Sequence, residues 1–148
     1  MKEELGYCGY NCHLCAARSE DPEIRKKMVE GWKKIFGNHR YNVDNVKCVG
    51  CINKGKHADG NCKVRPCALE KGVKNCALCI QFPCDKVRNL ITSKNEMLLS
   101  LFPITSSISE EEYQLCMKQF DSLPNLFKIL INEGKLPLWL KESVRCND

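Results

Sequence analysis

Apolar side chains recur at three- and four-residue intervals in two parts of the chain, and not in the stretch between them. Ile24, Met28, Trp32, Ile35 and Phe36 form the first series, which predicts an amphipathic helix with one buried face. Asp21-Pro22-Glu23 marks its start: a capping residue, a proline in the first turn, then an acid near the positive helix end. Gly37-Asn38 marks its end. The second part begins at Pro83, which opens a helix carrying Val87, Leu90 and Ile91. Residues 96–102 predict a short apolar-rich helix stopped by Pro103. Ser109-Glu110-Glu111-Glu112 reads as a capping box. It opens a helix with Tyr113, Cys116, Met117 and Phe120. Pro124 opens another with Leu126, Phe127, Leu130 and Ile131, closed by Gly134, and Leu136, Leu138, Trp139 and Leu140 form a last apolar stretch. No sustained alternation and no internal repeat is visible, so the expected fold is mainly α.

The unpatterned stretch is where the cysteines are. Ten of the twelve lie between Cys8 and Cys84, a density that marks a cysteine-built scaffold. Residues 52–61, INKGKHADGN, read as a loop, and Ala68 to Lys71 as one helical turn closed by Gly72. The chain starts with charges of both signs and no apolar stretch of signal length, and holds no run of eighteen apolar residues. The expectation is a cytoplasmic protein without a membrane span. Thiols are kept reduced there, so clustered cysteines read as metal ligands before disulfides.

Three Cys-x2-Cys pairs carry most of that signal: Cys12/Cys15, Cys48/Cys51 and Cys76/Cys79. Two intervening residues let the backbone turn so that both sulfurs reach one ion, as in a zinc knuckle. Gly50 sits inside the second pair, where a positive φ is useful. Cys48, Cys51, Cys62 and Cys67 are close enough in sequence to form one site locally. Cys12, Cys15, Cys76 and Cys79 would then form a second, leaving Cys8 and Cys84 as replacements, free thiols or part of a further site. A crossed arrangement, with Cys48/Cys51 and Cys76/Cys79 sharing an ion, competes. About two zinc ions are expected. The run Cys8-x3-Cys12-x2-Cys15 also has the spacing of a loop that holds an iron–sulfur cluster, which is the alternative cofactor.

Other residues are weighed against this set. His57 lies between Cys51 and Cys62 and can substitute for a cysteine ligand. His13 is expected to face solvent, and His39 to cap the first helix. Arg65 either donates to sulfur or is solvated. Cys84, near a helix start, is the best candidate for a reactive thiol, although a fourth structural ligand is the plainer role. Cys116 reads as core and Cys146 as tail. Trp32 and Trp139 read as core.

Net charge is +5, divided unevenly. Residues 1–95 carry eighteen basic against ten acidic side chains, and residues 96–148 five against eight. A zinc held by four thiolates carries about −2, so much of the basic excess offsets buried thiolate charge. No aromatic series interleaves with Lys54, Lys56 and Lys63 as a stacking platform for nucleic acid needs, so that partner is not favoured. No Gly-rich phosphate loop, His-Glu-x-x-His or serine triad is present.

The cysteine order, with its neighbours, resembles the cysteine-rich domain-of-unknown-function family numbered 3795. The matching positions are Cys8, Gly9, Cys12 and Cys15; Cys48, Gly50 and Cys51; Cys62, Val64, Arg65, Cys67 and Ala68; Lys71 and Gly72; Cys76, Cys79, Phe82 and Cys84. The resemblance covers roughly residues 5–90 and implies a small metal-binding protein of bacteria and archaea, with no reaction assigned. The expectation is therefore a metal-stapled region, 1–95, packed with a helical C-terminal part, 96–148, as one globular unit. Its metal would be structural, and its work interaction with an unknown macromolecular partner. A redox or metal-handling protein and a small enzyme with an open metal site are the alternatives.

Overall fold

The structure, a computed structural model, describes residues 3–100 and 107–136. It is helical, as the periodicity predicts. The helices are α1 (Pro22–Phe36), α2 (Val64–Lys71), α3 (Asp85–Ser100), α4 (Glu110–Cys116) and α5 (Ser122–Asn132). Short 3-10 turns stand at Cys12–Leu14, Ala16–Arg18, Cys76–Leu78 and Lys118–Phe120. Among the described residues there is no strand, only an isolated antiparallel bridge between Leu5 and Asn11. The last apolar stretch, apart from Leu136, lies outside the described residues, as do Phe102, Pro103 and Cys146.

α1 has the predicted ends. The Asp21 side chain accepts from Glu23 N at 2.9 Å, and Gly37 closes the helix. Its buried face is rotated slightly from the expected one. Ile24 is 40% exposed, while Arg25 is 6% exposed. The reason is a set of loop carbonyls: Arg25 Nε donates to Val43 O at 3.0 Å and Nη1 to Ser19 O at 2.6 Å. A guanidinium can be buried when carbonyl oxygens replace its water. α2 starts four residues before the expected turn. Pro66 is tolerated there because first-turn N–H groups have no partner inside the helix.

Two expectations for the second part are corrected. The helices expected after Pro83 and over 96–102 are one, α3. Nothing between Ile91 and Glu96 breaks a helix, so the change in composition near residue 95 falls inside it. Conversely, the helix expected to carry both Tyr113 and Phe120 ends at Cys116, and a 3-10 turn follows. The capping box that starts it is present: Glu112 N donates to Ser109 Oγ, and Ser109 N to Glu112 Oε2.

The packing makes two cores. One gathers Ala16, Ala17, Met28, Val29, Trp32, Ile35, Val46 and Cys116, where α1 meets α4. The other gathers Tyr7, Cys8, Val64, Ala68, Cys76, Ala77, Val87, Leu126 and Leu130, where α5 meets the Cys76–Leu78 turn. Each fully buried aliphatic side chain contributes roughly 1.5–3 kcal/mol. The N-terminal loop runs between them and is clasped from three later segments. Cys76 N donates to Tyr7 O at 2.8 Å, Asn11 N to Gln119 O at 2.9 Å, and Asn125 Nδ2 to Gly9 O at 2.8 Å. The first cysteines are thereby brought back to the later ones.

Candidate metal centre and adjoining cavity

Two of the Cys-x2-Cys pairs are built alike. Asn11 precedes Cys12, and Asn75 precedes Cys76. Each asparagine caps the 3-10 turn that carries its first cysteine: Asn11 Oδ1 accepts from His13 N at 3.1 Å, and Asn75 Oδ1 from Ala77 N at 2.9 Å. Both are buried, at 6% and 5% exposure. Asn75 also donates through Nδ2 to Gly6 O at 3.1 Å, tying the second turn to the N-terminal loop. Sequence reasoning passed over these residues. The signal was there, since Asn-Cys-x-x-Cys occurs twice.

The third pair is a tight loop. Gly50 has φ +90°, a conformation that side chains with a Cβ rarely adopt. Its N–H points back to Cys48 Sγ at 3.4 Å. The same pattern repeats along the chain: Cys8 sulfur accepts from the backbone N–H of Tyr10, and Cys15 sulfur from that of Ala17. A backbone N–H two residues on stabilises thiolate character.

The described cysteines fall into two groups. Cys12 and Cys51 touch: the Cys51 thiol and backbone N–H both donate to the Cys12 sulfur, and both sulfurs lie against Gly6. This contact holds the Cys12 thiol below its usual range and pushes Cys51 up. Cys48 stands close enough to Cys15 to add to the rise that burial causes in the Cys15 thiol. The first two pairs therefore face one another, with Cys8 and Cys62 beside them. All six line one cavity of about 640 Å³. Cys67, Cys76, Cys79 and Cys84 instead surround a void of about 20 Å³, floored by Ala68, Phe82 and Val87. Cys62 and Cys67 also share a shallow outer hollow with Lys86, whose Nζ lies 3.6 Å from Cys67 Sγ.

This division differs from the expected sets. Cys67 rides on α2 and turns toward the Cys76–Cys84 segment, away from Cys48 and Cys51, and Cys12/Cys15 face Cys48/Cys51 rather than Cys76/Cys79. All eleven described cysteines are free thiols. Among the described residues, no group of three or more His, Cys, Asp or Glu side chains is placed to hold a metal ion.

Burial penalises charge at several of these sulfurs. It pushes Cys8, Cys15 and Cys76 to about 12, with neighbouring thiols adding to the effect. Cations stand beside the sulfurs: Arg18, paired to Glu4 at 2.6 Å, near Cys12 and Cys15, Arg65 near Cys51, and Lys86 with its Nζ 3.6 Å from Cys67 Sγ. The donor set suits zinc or iron, which take thiolates.

The remaining candidates are placed as follows. His57 Nε2 lies 3.1 Å from Gly50 O and 3.0 Å from Asn53 O. Two carbonyls require that nitrogen to be the protonated one, so it serves the loop rather than a metal. Arg65 donates to Asp59 O. His13 is exposed, as expected, and His39 is exposed at the cavity mouth. Cys116 is core, 1% exposed, with burial pushing it to about 11.

A family described as "Protein of unknown function (DUF3795)" matches residues 4–89, and the chain belongs to it. No curated protein and no solved structure matches the chain. None of the described helices is long and apolar enough to cross a membrane.

Proposed function

We propose that this is a zinc-binding protein with two thiolate sites of different character. Cys67, Cys76, Cys79 and Cys84 would hold a closed, structural ion. Cys12, Cys15, Cys48 and Cys51 would hold the other, with Cys8 and Cys62 at its side toward the cavity. The observation that carries the reading is the apposition of two Cys-x2-Cys pairs through the Cys12–Cys51 contact. The backbone N–H groups aimed at Cys8, Cys15 and Cys48 support it, because they favour sulfur in its anionic, ligating form. Bound zinc would neutralise the thiolates and cross-link segments distant in sequence. The residues themselves position Cys12 and Cys76, through the asparagine caps.

Elemental analysis of anaerobically purified protein, with its absorption spectrum, tests this. About two zinc ions per chain and no visible band are expected. Iron with sulfide and absorption at about 400 nm would overturn the zinc assignment and turn the Cys8–Cys15 loop into a cluster-binding loop. A role as an interaction module draws on Ile80, which is 98% exposed on the loop after Cys79. Nucleic acid as the partner would show as steeply salt-dependent binding.

A further inference from the structure

The cavity beside the six cysteines has a second wall that metal binding does not use. Trp32, Phe36, Tyr41 and Phe120 contribute aromatic surface to it. Lys94 enters from α3 with its Nζ 3.6 Å from the centre of the Phe120 ring and 4.7 Å from that of Phe36. Four cationic side chains, Arg18, Arg40, Arg65 and Lys94, line the cavity against one acid, Asp59. Of the four, only Arg18 has a carboxylate partner among the described residues. Arg40 lies over the Tyr41 ring, and Arg65 donates to a carbonyl. Lys94 has two ring faces and, among the described residues, no anion.

Gln119, 2% exposed, packs in the same wall. Its Nε2 donates to Cys116 O at 3.2 Å, which ties the Lys118–Phe120 turn to the end of α4 and so fixes the Phe120 side of the cavity. Its Oε1 is buried, with no donor among the described residues, and is closed to the cavity.

We infer that this cavity binds a small organic acid with a flat unsaturated body, its anionic group set on Lys94 and its ring against Phe36, Phe120 and Trp32. The volume, about 640 Å³, is that of an ordinary small-molecule site. The rings supply most of the contact area. The lysine selects the anion, because an unpaired ammonium held among rings gains more from a carboxylate than one in water does. Burial already holds the Lys94 ammonium down to about 8, as expected of a cation lacking its counter-ion. The inference rests on the lysine and the rings, and stands whichever metal the thiols hold.

The test is calorimetric titration of the full chain, in reducing buffer, with 2-naphthoate and uncharged 2-naphthamide. Expected are one saturable site for naphthoate and binding at least tenfold weaker for the amide. Lys94→Met should weaken naphthoate tenfold or more while leaving the amide within about twofold, which separates loss of the charge from loss of the fold. Far-UV circular dichroism confirms that the variant is folded. Equal affinity for acid and amide overturns the proposal, as does no saturable naphthoate binding up to millimolar concentration. So does an unchanged naphthoate affinity in Lys94→Met.

Discussion

Asn75 joins two tasks in one side chain: its oxygen caps a cysteine-bearing turn and its nitrogen holds the N-terminal loop. Removing it leaves Ala77 N and Gly6 O, in two buried residues, without these partners. Asn75→Ala should therefore cost about 2–3 kcal/mol in urea unfolding. Asn75→Asp, which keeps the cap but sets a buried carboxylate oxygen against the Gly6 carbonyl, should cost at least as much. Lys94 gives a pH dependence whose sign is fixed by its depressed value. The ammonium titrates at about 8 in the folded chain and at 10.5 when free. Between those values the unfolded chain binds a proton that the folded chain has released, so this residue's contribution to stability rises with pH. Below about 8 both states are charged and the burial cost is present in full. Unfolding midpoints of wild type and Lys94→Met at pH 7 and pH 10 check this. The advantage of the methionine variant should shrink at pH 10, and titrating cysteines and tyrosines cancel in the difference.

At the scale of elements, α1 and α4 come into close contact at Gly31. A Cβ there would lie 2.3 Å from Cys116 Sγ, so the two helices touch only because both residues are small. Trp32 Nε1 donates to Cys116 O at 2.9 Å across the same contact, which limits how far α4 can move. Gly31→Ala should destabilise by about 1–3 kcal/mol through overpacking. Combining it with Cys116→Ala should recover most of that loss, giving a clear coupling energy in a double-mutant cycle. Helix ends were the most legible part of this level. Asp21, Gly37 and the Ser109–Glu112 box act locally, through bonds spanning two to four residues, and appear where the sequence puts them. Helix continuity was less legible. The run through residues 92–95 and the break after Cys116 depend on packing rather than on local stop signals.

For the whole molecule, the two cysteine groups make separable predictions about metal. On the proposed zinc reading, Cys76→Ser should lose one ion and Cys12→Ser the other, while Cys116→Ser should lose none, read as metal per chain. On the same reading, chelation should loosen the N-terminal loop, since it carries Cys8, Cys12 and Cys15 and has only Tyr7, Ala16, Ala17 and hydrogen bonds to residues 75, 76, 119 and 125 to hold it otherwise. Proteolysis within residues 3–20 on adding chelator, absent before it, is the readout. The basic excess of the first 95 residues finds a structural use in Arg18, Arg65 and Lys86, each set beside a cysteine.

By itself the sequence determined the helical class, the helix caps, the positive φ of Gly50, the core role of Cys116 and the membership of the family. Each depends on residues near one another along the chain, or on residue types whose chemistry is narrow. The sequence could not divide ten cysteines into two groups, because the spacing permits several closures of similar loop entropy. That division was decided by tertiary contacts: α2 turns Cys67 away from Cys62's neighbours, and Asn75, Gln119 and Asn125 pull the first loop into place. The cavity, with Lys94 set among aromatic rings, belongs to the same level. Its walls come from residues more than eighty positions apart, and only the packed chain sets them face to face.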